Sequence, residues 1–305
     1  ASDAGLIPQV MPDYQSVADQ EVRELFRHIW HGTEIDPQPG LTVVEIIDAM
    51  YRGEIKGMYV LGENPAMSDP DVEHARNALA NLDHLVVQDI FLTETANFAD
   101  VILPASAWPE KTGTVTNTNR QVQMGRHALD LPGDARQDWW IIQEIANRLG
   151  LNWTYTGPMD VFNEMKKTMR SLDNIIWERL ENEDSIIYPC KSEDSPGENI
   201  IFGAGFPTTS GRAKLVPANL IPPDELPDDE FPLVLTTGRV LEHWHTGAMT
   251  RRATVLDLLE PEPVVSINPY TMGEKGLAPG DLRGRTAPVR CPSVRRAARR
   301  TTGHP

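Results

Sequence analysis

Two cysteines in 305 residues are too few for an iron–sulfur cluster, which ordinarily takes four thiolates, and too few for a disulfide framework. Cys190 and Cys291 therefore fit a reducing compartment. No apolar run reaches the length of a membrane span, and the first residues carry no basic region followed by an apolar one. A cytoplasmic setting is expected, with the periplasm left open. No Gly-x-Gly-x-x-Gly fingerprint is present, which argues against a nicotinamide site, and neither Ser106 nor Ser210-Gly-Arg212 sits in a nucleophile elbow or P-loop. Basic residues are in the minority, 28 against 44 acids, for a net charge of −16. That balance disfavours nucleic acid and anionic membranes as partners.

What is present is ordinary for a globular chain, 40% hydrophobic and 24% charged, and long enough for two domains. Val22, Leu25, Phe26 and Ile29 share one helical face within 19–30, and a second helix is expected over Val43 to Tyr51, ending near Gly53. A strand–helix–strand–helix–strand unit follows. Its strands are Gly57 to Gly62, His84 to Gln88 and Ala99 to Leu103; the intervening helices are capped by Asp69 or Asp71 and by Thr93. Short loops between such elements mean a parallel sheet, whose ligands bind at the carboxyl ends of the strands. Asp138 is expected to cap a helix to Leu149 with Trp139, Ile142, Ile145 and Leu149 inward, and 160–169 reads as helical. Residues 183–201 are polar and irregular. The Pro-rich acidic stretch 223–230 reads as a linker, leading to apolar strands at Phe231 to Leu235 and Pro263 to Ile267.

Several polar residues sit where strands end, and each has a plain reading, some with a functional one beside it. Gly62-Glu63-Asn64-Pro65 reads from its residues as a tight turn, and Gln88-Asp89 as a capping loop or a recognition pair. A carboxylate there can accept from guanine N1–H and the 2-amino group together, a fit adenine does not offer. Lys111 is a turn lysine or a phosphate partner, and Asp138 is a helix cap first. His243 and His245, spaced i, i+2, would share one face of a strand and could suit zinc, although no nearby Cys, Asp or third His completes a ligand set.

The string Thr237-Gly238-Arg239-Val-Leu-Glu-His243-Trp-His245-Thr246, with Gly247-Ala-Met-Thr-Arg-Arg252 after it, resembles the cofactor-binding loop of molybdopterin-guanine-dinucleotide oxidoreductases. Gly62-Glu-Asn-Pro65 with Ser68-Asp-Pro70, Val87 to Thr95, and Tyr188-Pro-Cys190 are similar to the large (alpha) subunit of formate dehydrogenases within that family. Nitrate reductases share nearly the same Thr237–Thr246 string, so a nitrate reductase fragment stays open, as does a non-catalytic protein that binds the pterin cofactor.

The resemblance implies an α/β fold. A parallel-sheet dinucleotide-binding domain (1–222) is followed by the linker 223–230 and the start of a β-barrel domain (231–281). The stretch 282–305 is an anomalous basic tail, with seven arginines and one acid from Asp281 onward, read as out of frame or truncated against the alternative of a genuine basic tail. The implied cofactor is bis-molybdopterin guanine dinucleotide with molybdenum or tungsten. The implied contacts are Gly62, Glu63, Asn64, Gln88, Asp89, Thr93, Lys111, Asp138, Thr237, Gly238, Arg239, His243, His245 and Thr246. Formate is the implied substrate, with NAD-linked iron–sulfur or flavoprotein subunits as electron-transfer partners. In the family a cysteine or selenocysteine followed by histidine holds the metal; here Cys190 precedes Lys191 and Cys291 precedes Pro292. The resemblance therefore places the catalytic residues and iron–sulfur clusters upstream of Ala1, and implies a C-terminal fragment that does not oxidise formate alone.

Overall fold

The structure, a computed structural model, describes residues 2–32, 34–223, 226–229 and 231–280; the basic tail and Cys291 lie outside the described residues. Two short strands, β1 (Val10–Met11) and β2 (Gln15–Ser16), pair antiparallel around a tight turn. Helix α1 (Gln20–Ile29) starts where the Asp19 carboxylate accepts from Glu21 N–H at 2.9 Å. Helix α2 (Val43–Tyr51) opens with a reciprocal capping box between Thr42 and Glu45, and Gly53 at φ +72° follows its end.

The parallel sheet forms as the strand pattern predicts. β3 (Gly57–Leu61) is followed by helices α3 (Pro65–Ser68) and α4 (Val72–Ala80), then by β4 (His84–Asp89). A 3-10 turn (Ala96–Phe98) leads to β5 (Val101–Pro104). The order is β3-β4-β5, with Val60 opposite Val87 and Val87 opposite Ile102. The central strand buries Leu85, Val87 and Gln88, so its one fully buried amide lies at its carboxyl end.

A second sheet was not anticipated. β6 (Gly113–Thr116) and β7 (Gln121–Gly125) form a hairpin, and β8 (Ser185–Ile187) adds antiparallel to β7 out of a stretch read as irregular. Helices α5 (Asp138–Arg148), α6 (Pro158–Thr168) and α7 (Trp177–Glu183) lie between β7 and β8 in the chain. Val122, Met124, Phe162, Leu172, Ile175, Trp177, Leu180 and Ile186 make one apolar core under this sheet. Arg120 ties the hairpin turn to the chain beyond β8, donating to the carbonyls of Tyr188, Glu198 (3.0 Å) and Asn199 (3.1 Å).

Two expectations for α5 are corrected. Its N-cap is Gln137, so Asp138 is the first helical residue and its carboxylate is used elsewhere. Ile141 and Ala146 are the buried residues, whereas Ile142 and Leu149 are exposed. The apolar residues run nearly all round this helix, so periodicity alone does not select the inward face.

Contacts divide the chain into two compact units, one of residues 1–63 and 74–215, the other of 64–73 and 216 onward. In the second, a 3-10 turn (Thr250–Arg252) and helices α8 (Thr254–Leu259) and α9 (Pro269–Glu274) are the regular elements among the described residues beyond 216. The strands expected at 231–235 and 263–267 are not formed, and no closed barrel is present among the described residues. Leu233, Val234, Leu235, Val264 and Val265 are exposed. An apolar run becomes a strand only when a neighbour takes its N–H and C=O groups, and the described residues supply none.

Leu180→Ala, at a fully buried site, should destabilise the first unit by about 2–5 kcal/mol, read as a lower urea midpoint for the near-UV signal of Trp177. Tyr155 supplies a pH test. Burial, and then its hydrogen bond to Glu164, raise its phenol from 10.0 to about 12. A group whose pKa is raised on folding contributes stability that is intact below 10 and lost as pH rises towards 12. Tyr155→Phe should flatten that alkaline fall relative to wild type in parallel melts.

Candidate functional site

The carboxyl ends of β3, β4 and β5 bring chemistry-bearing residues together. β3 is followed by Gly62, which takes φ +64° and donates its N–H to Gln88 O at 2.9 Å. Only a residue without Cβ adopts that turn at little cost. Glu63 is exposed. Asn64 is buried at the start of α3; its carbonyl accepts from Met67 and Ser68 N–H, and its side chain does not cap the helix.

Gln88, 1% exposed, is the centre of the cluster. Its Nε2 donates to Asp138 Oδ1 at 2.8 Å, and its Oε1 accepts from the Tyr59 hydroxyl. Lys111 Nζ donates to Asp138 Oδ2 and, at 3.1 Å, to Ser106 O. Lys111 and Asp138 are 28% and 29% exposed, so the pair sits at the edge of solvent. Burial first, and then the Asp138 charge, push the Tyr59 phenol above its usual value and keep it a donor. Ser106 Oγ is buried and has no hydrogen-bond partner among the described residues.

Asp89 belongs to the same edge but bonds its own loop. Its Oδ1 accepts from Ile90 N–H at 2.6 Å and Phe91 N–H at 3.4 Å. Thr93 is buried, and its hydroxyl oxygen caps the following turn by accepting from Ala96 N–H at 3.2 Å, as the sequence predicts.

In the second unit, Val240, His243, His245, Thr246, Arg251 and residues 260–264 line an open cleft of about 530 Å³. His243 is buried. Its Nε2 must donate to Glu260 O at 2.7 Å, because a carbonyl only accepts, and its Nδ1 lies 3.2 Å from Thr250 Oγ1. The zinc reading loses its geometry here. Both His243 ring nitrogens are engaged, the backbone is no strand, and His245 takes φ +51° and is exposed. Among the described residues no three His, Cys, Asp or Glu side chains gather as a metal site. Thr237, Gly238 and Arg239 do not line the cleft and are exposed on chain without regular secondary structure. Arg251 lines it unanticipated, held by Asp257 at 2.9 Å and Pro261 O at 3.0 Å.

A guanine dinucleotide asks for paired acceptors at the base and for cations and hydroxyls at the diphosphate. The first unit offers Asp89 as an acceptor, Lys111 as a cation, and an orphaned buried hydroxyl on Ser106, so its residues fit the group. Tyr59 was not foreseen: it reads as a sheet residue in the sequence, and only Gln88 on the neighbouring strand gives its hydroxyl a partner. Ser106 follows β5, at the strand end where the sequence pattern expects ligands, and its hydroxyl has no partner among the described residues.

Comparison with known proteins places this architecture. Residues 13–148 match the molybdopterin oxidoreductase family and residues 233–282 the molydopterin dinucleotide binding domain. The chain thus carries a molybdopterin oxidoreductase domain and a molydopterin dinucleotide binding domain. Among its relatives, the F420-dependent formate dehydrogenase subunit alpha of Methanocaldococcus jannaschii is 45% identical over 92% of this chain and 42% of its own length. The putative formate dehydrogenase YrhE of Bacillus subtilis is 38% identical over 92% of this chain and 28% of its own. The chain thus spans less than half the length of these relatives. Acetylene hydratase from Pelobacter acetylenicus has the same fold at a TM-score of 0.58, with 21% identity over 85% of this chain and 38% of its own.

Lys111→Met leaves Asp138 with only the Gln88 amide. It should cost about 1–2 kcal/mol in urea unfolding, between the surface and buried limits for an ion pair. Adding Asp138→Asn should recover part of that loss; equal midpoints for wild type and Lys111→Met would show the pair to be inconsequential.

Proposed function

We propose that this chain holds the dinucleotide of a bis-molybdopterin guanine dinucleotide cofactor, with molybdenum or tungsten, in a formate dehydrogenase alpha subunit. The observation that carries this reading is the convergence of Lys111, Asp138 and the unpartnered Ser106 hydroxyl at the carboxyl end of a parallel sheet. The names of the relatives support formate as the substrate.

Asp89 takes the base. Its Oδ2 accepts no hydrogen bond among the described residues, and guanine offers a carboxylate two parallel N–H donors. Lys111 and Ser106 meet the phosphates, and Asp138 keeps Lys111 in place. Gln88 is spent inside the protein and serves as scaffold. Gly62 and Glu63 form the turn beside the site, Thr93 fixes the loop after Asp89, and Asn64, which belongs to the second unit, is a further nucleotide contact in this reading. In the second unit His245, Thr246 and the exposed Thr237-Gly238-Arg239 segment offer polar contacts for pterin or phosphate, with His243 shaping the cleft from within.

When bound, the metal–pterin group supplies the two-electron oxidation of formate to carbon dioxide. Electrons would leave through iron–sulfur or flavin subunits, in a cytoplasmic setting. No helix among the described residues is long and apolar enough to cross a membrane. Neither Cys190 nor Cys291 is followed by histidine, so the chain alone is assigned binding and not turnover.

Calorimetry with GDP and ADP tests the binding role. GDP should bind the 305-residue chain more tightly than ADP, Asp89→Asn should erase that preference, and Lys111→Ala should weaken both about tenfold (~1.4 kcal/mol). Equal affinity for the two nucleotides, or none for either, would remove the guanine assignment. Formate-dependent reduction of a viologen dye by the isolated chain would refute the assignment of binding without turnover.

A further inference from the structure

We infer that Tyr59 is a positioning residue for the dinucleotide site: its hydroxyl sets the Gln88 amide, which orients the Asp138 carboxylate, which places the Lys111 ammonium. This rests on the dinucleotide reading above and adds to it a residue that touches neither base nor phosphate in that scheme.

Each link has one permitted direction. A carboxylate only accepts, so the Gln88 end facing Asp138 must be Nε2, and the 2.8 Å bond is a donation from the amide. That turns Oε1 towards Tyr59. Oε1 in turn only accepts, so the Tyr59 hydroxyl must donate. With Oδ1 taken by Gln88, Lys111 meets Oδ2 and spends a second N–H on Ser106 O. Its third N–H has no partner among the described residues and is the one a phosphate would take. Gln88 is 1% exposed, so its amide depends on partners within the protein, of which Tyr59 is the one open to solvent at 42% exposed. The chain spans three separate elements, since Tyr59 lies on β3, Gln88 on β4 and Asp138 at the start of α5.

Without the hydroxyl, Gln88 has two outcomes. It can keep Nε2 on Asp138 and leave Oε1 buried and unpaired, or turn over and face Asp138 with an acceptor. Both loosen Asp138, and with it the ammonium that meets the phosphate.

GDP binding to the full 305-residue chain tests this, with wild type, Tyr59→Phe, Gln88→Leu and the double variant measured together. Tyr59→Phe should bind GDP about tenfold more weakly. The double variant should be no weaker than Gln88→Leu, because Tyr59 acts only through Gln88; a general loss of packing would not produce that non-additivity. By the same logic Tyr59→Phe should add nothing to Lys111→Ala. Wild-type affinity in Tyr59→Phe, or additive losses in the double variant, would overturn the inference while leaving the dinucleotide reading intact. Absence of GDP binding by wild type would defeat both. If Tyr59→Phe does not fold, the side-chain NH2 resonance of Gln88, assigned by its loss in Gln88→Leu, must shift when GDP binds wild type. An unmoved resonance overturns the inference.

Discussion

A single buried amide governs the carboxyl edge of the parallel sheet. Gln88 sits on the middle strand, sealed from water, with a donor and an acceptor that must both be satisfied inside the protein. Leaving either unpaired would cost about 1–3 kcal/mol, a large share of a domain's net stability. The sheet register, the Tyr59 ring on the neighbouring strand and the first turn of α5 must therefore agree on one geometry. Lys111 is held as a consequence, since the carboxylate it pairs with is already oriented.

The apolar packing makes that agreement durable. The parallel sheet buries Val60, Leu85 and Val87, while the antiparallel sheet closes over Trp177, Leu180 and Ile175 as a separate core. α5 lies between β7 and β8 in the chain. Its first residue belongs to the polar cluster, while its buried Ile141 and Ala146 anchor it. Polar precision at the strand ends thus stands on two hydrophobic supports that need no polar group of their own.

The family likeness and the site geometry bear on different parts of the function. The likeness consists of molybdopterin oxidoreductase and molydopterin dinucleotide binding domains and of similarity to formate dehydrogenase alpha subunits. The geometry contributes the division of labour among the residues. The resemblance treats Gln88, Asp138 and Lys111 alike as contacts, whereas in the structure the first is buried with both amide groups bonded, the second bridges Gln88 and Lys111, and the third lies at the edge of solvent. In the second unit His243 is similarly drawn inward, and His245 and Thr246 stay at the surface.

Elements built from local signals were legible in the chain. Thr42 and Glu45 at the right spacing specify the start of α2, and apolar runs flanked by turns specify β3, β4 and β5, because capping and alternation act over a few residues. The family loop was legible too, as a string of residue types. Features that depend on distant neighbours were not. β8 becomes a strand only because β7, some 60 residues earlier, offers it an edge, and 231–235 stays unpaired because no described strand does. Asp138 reads as a cap until Gln88 and Lys111 arrive from 50 and 27 residues away to claim its carboxylate. Hydrogen-bond partners across such distances are chosen by how whole elements pack, and no local pattern carries that choice.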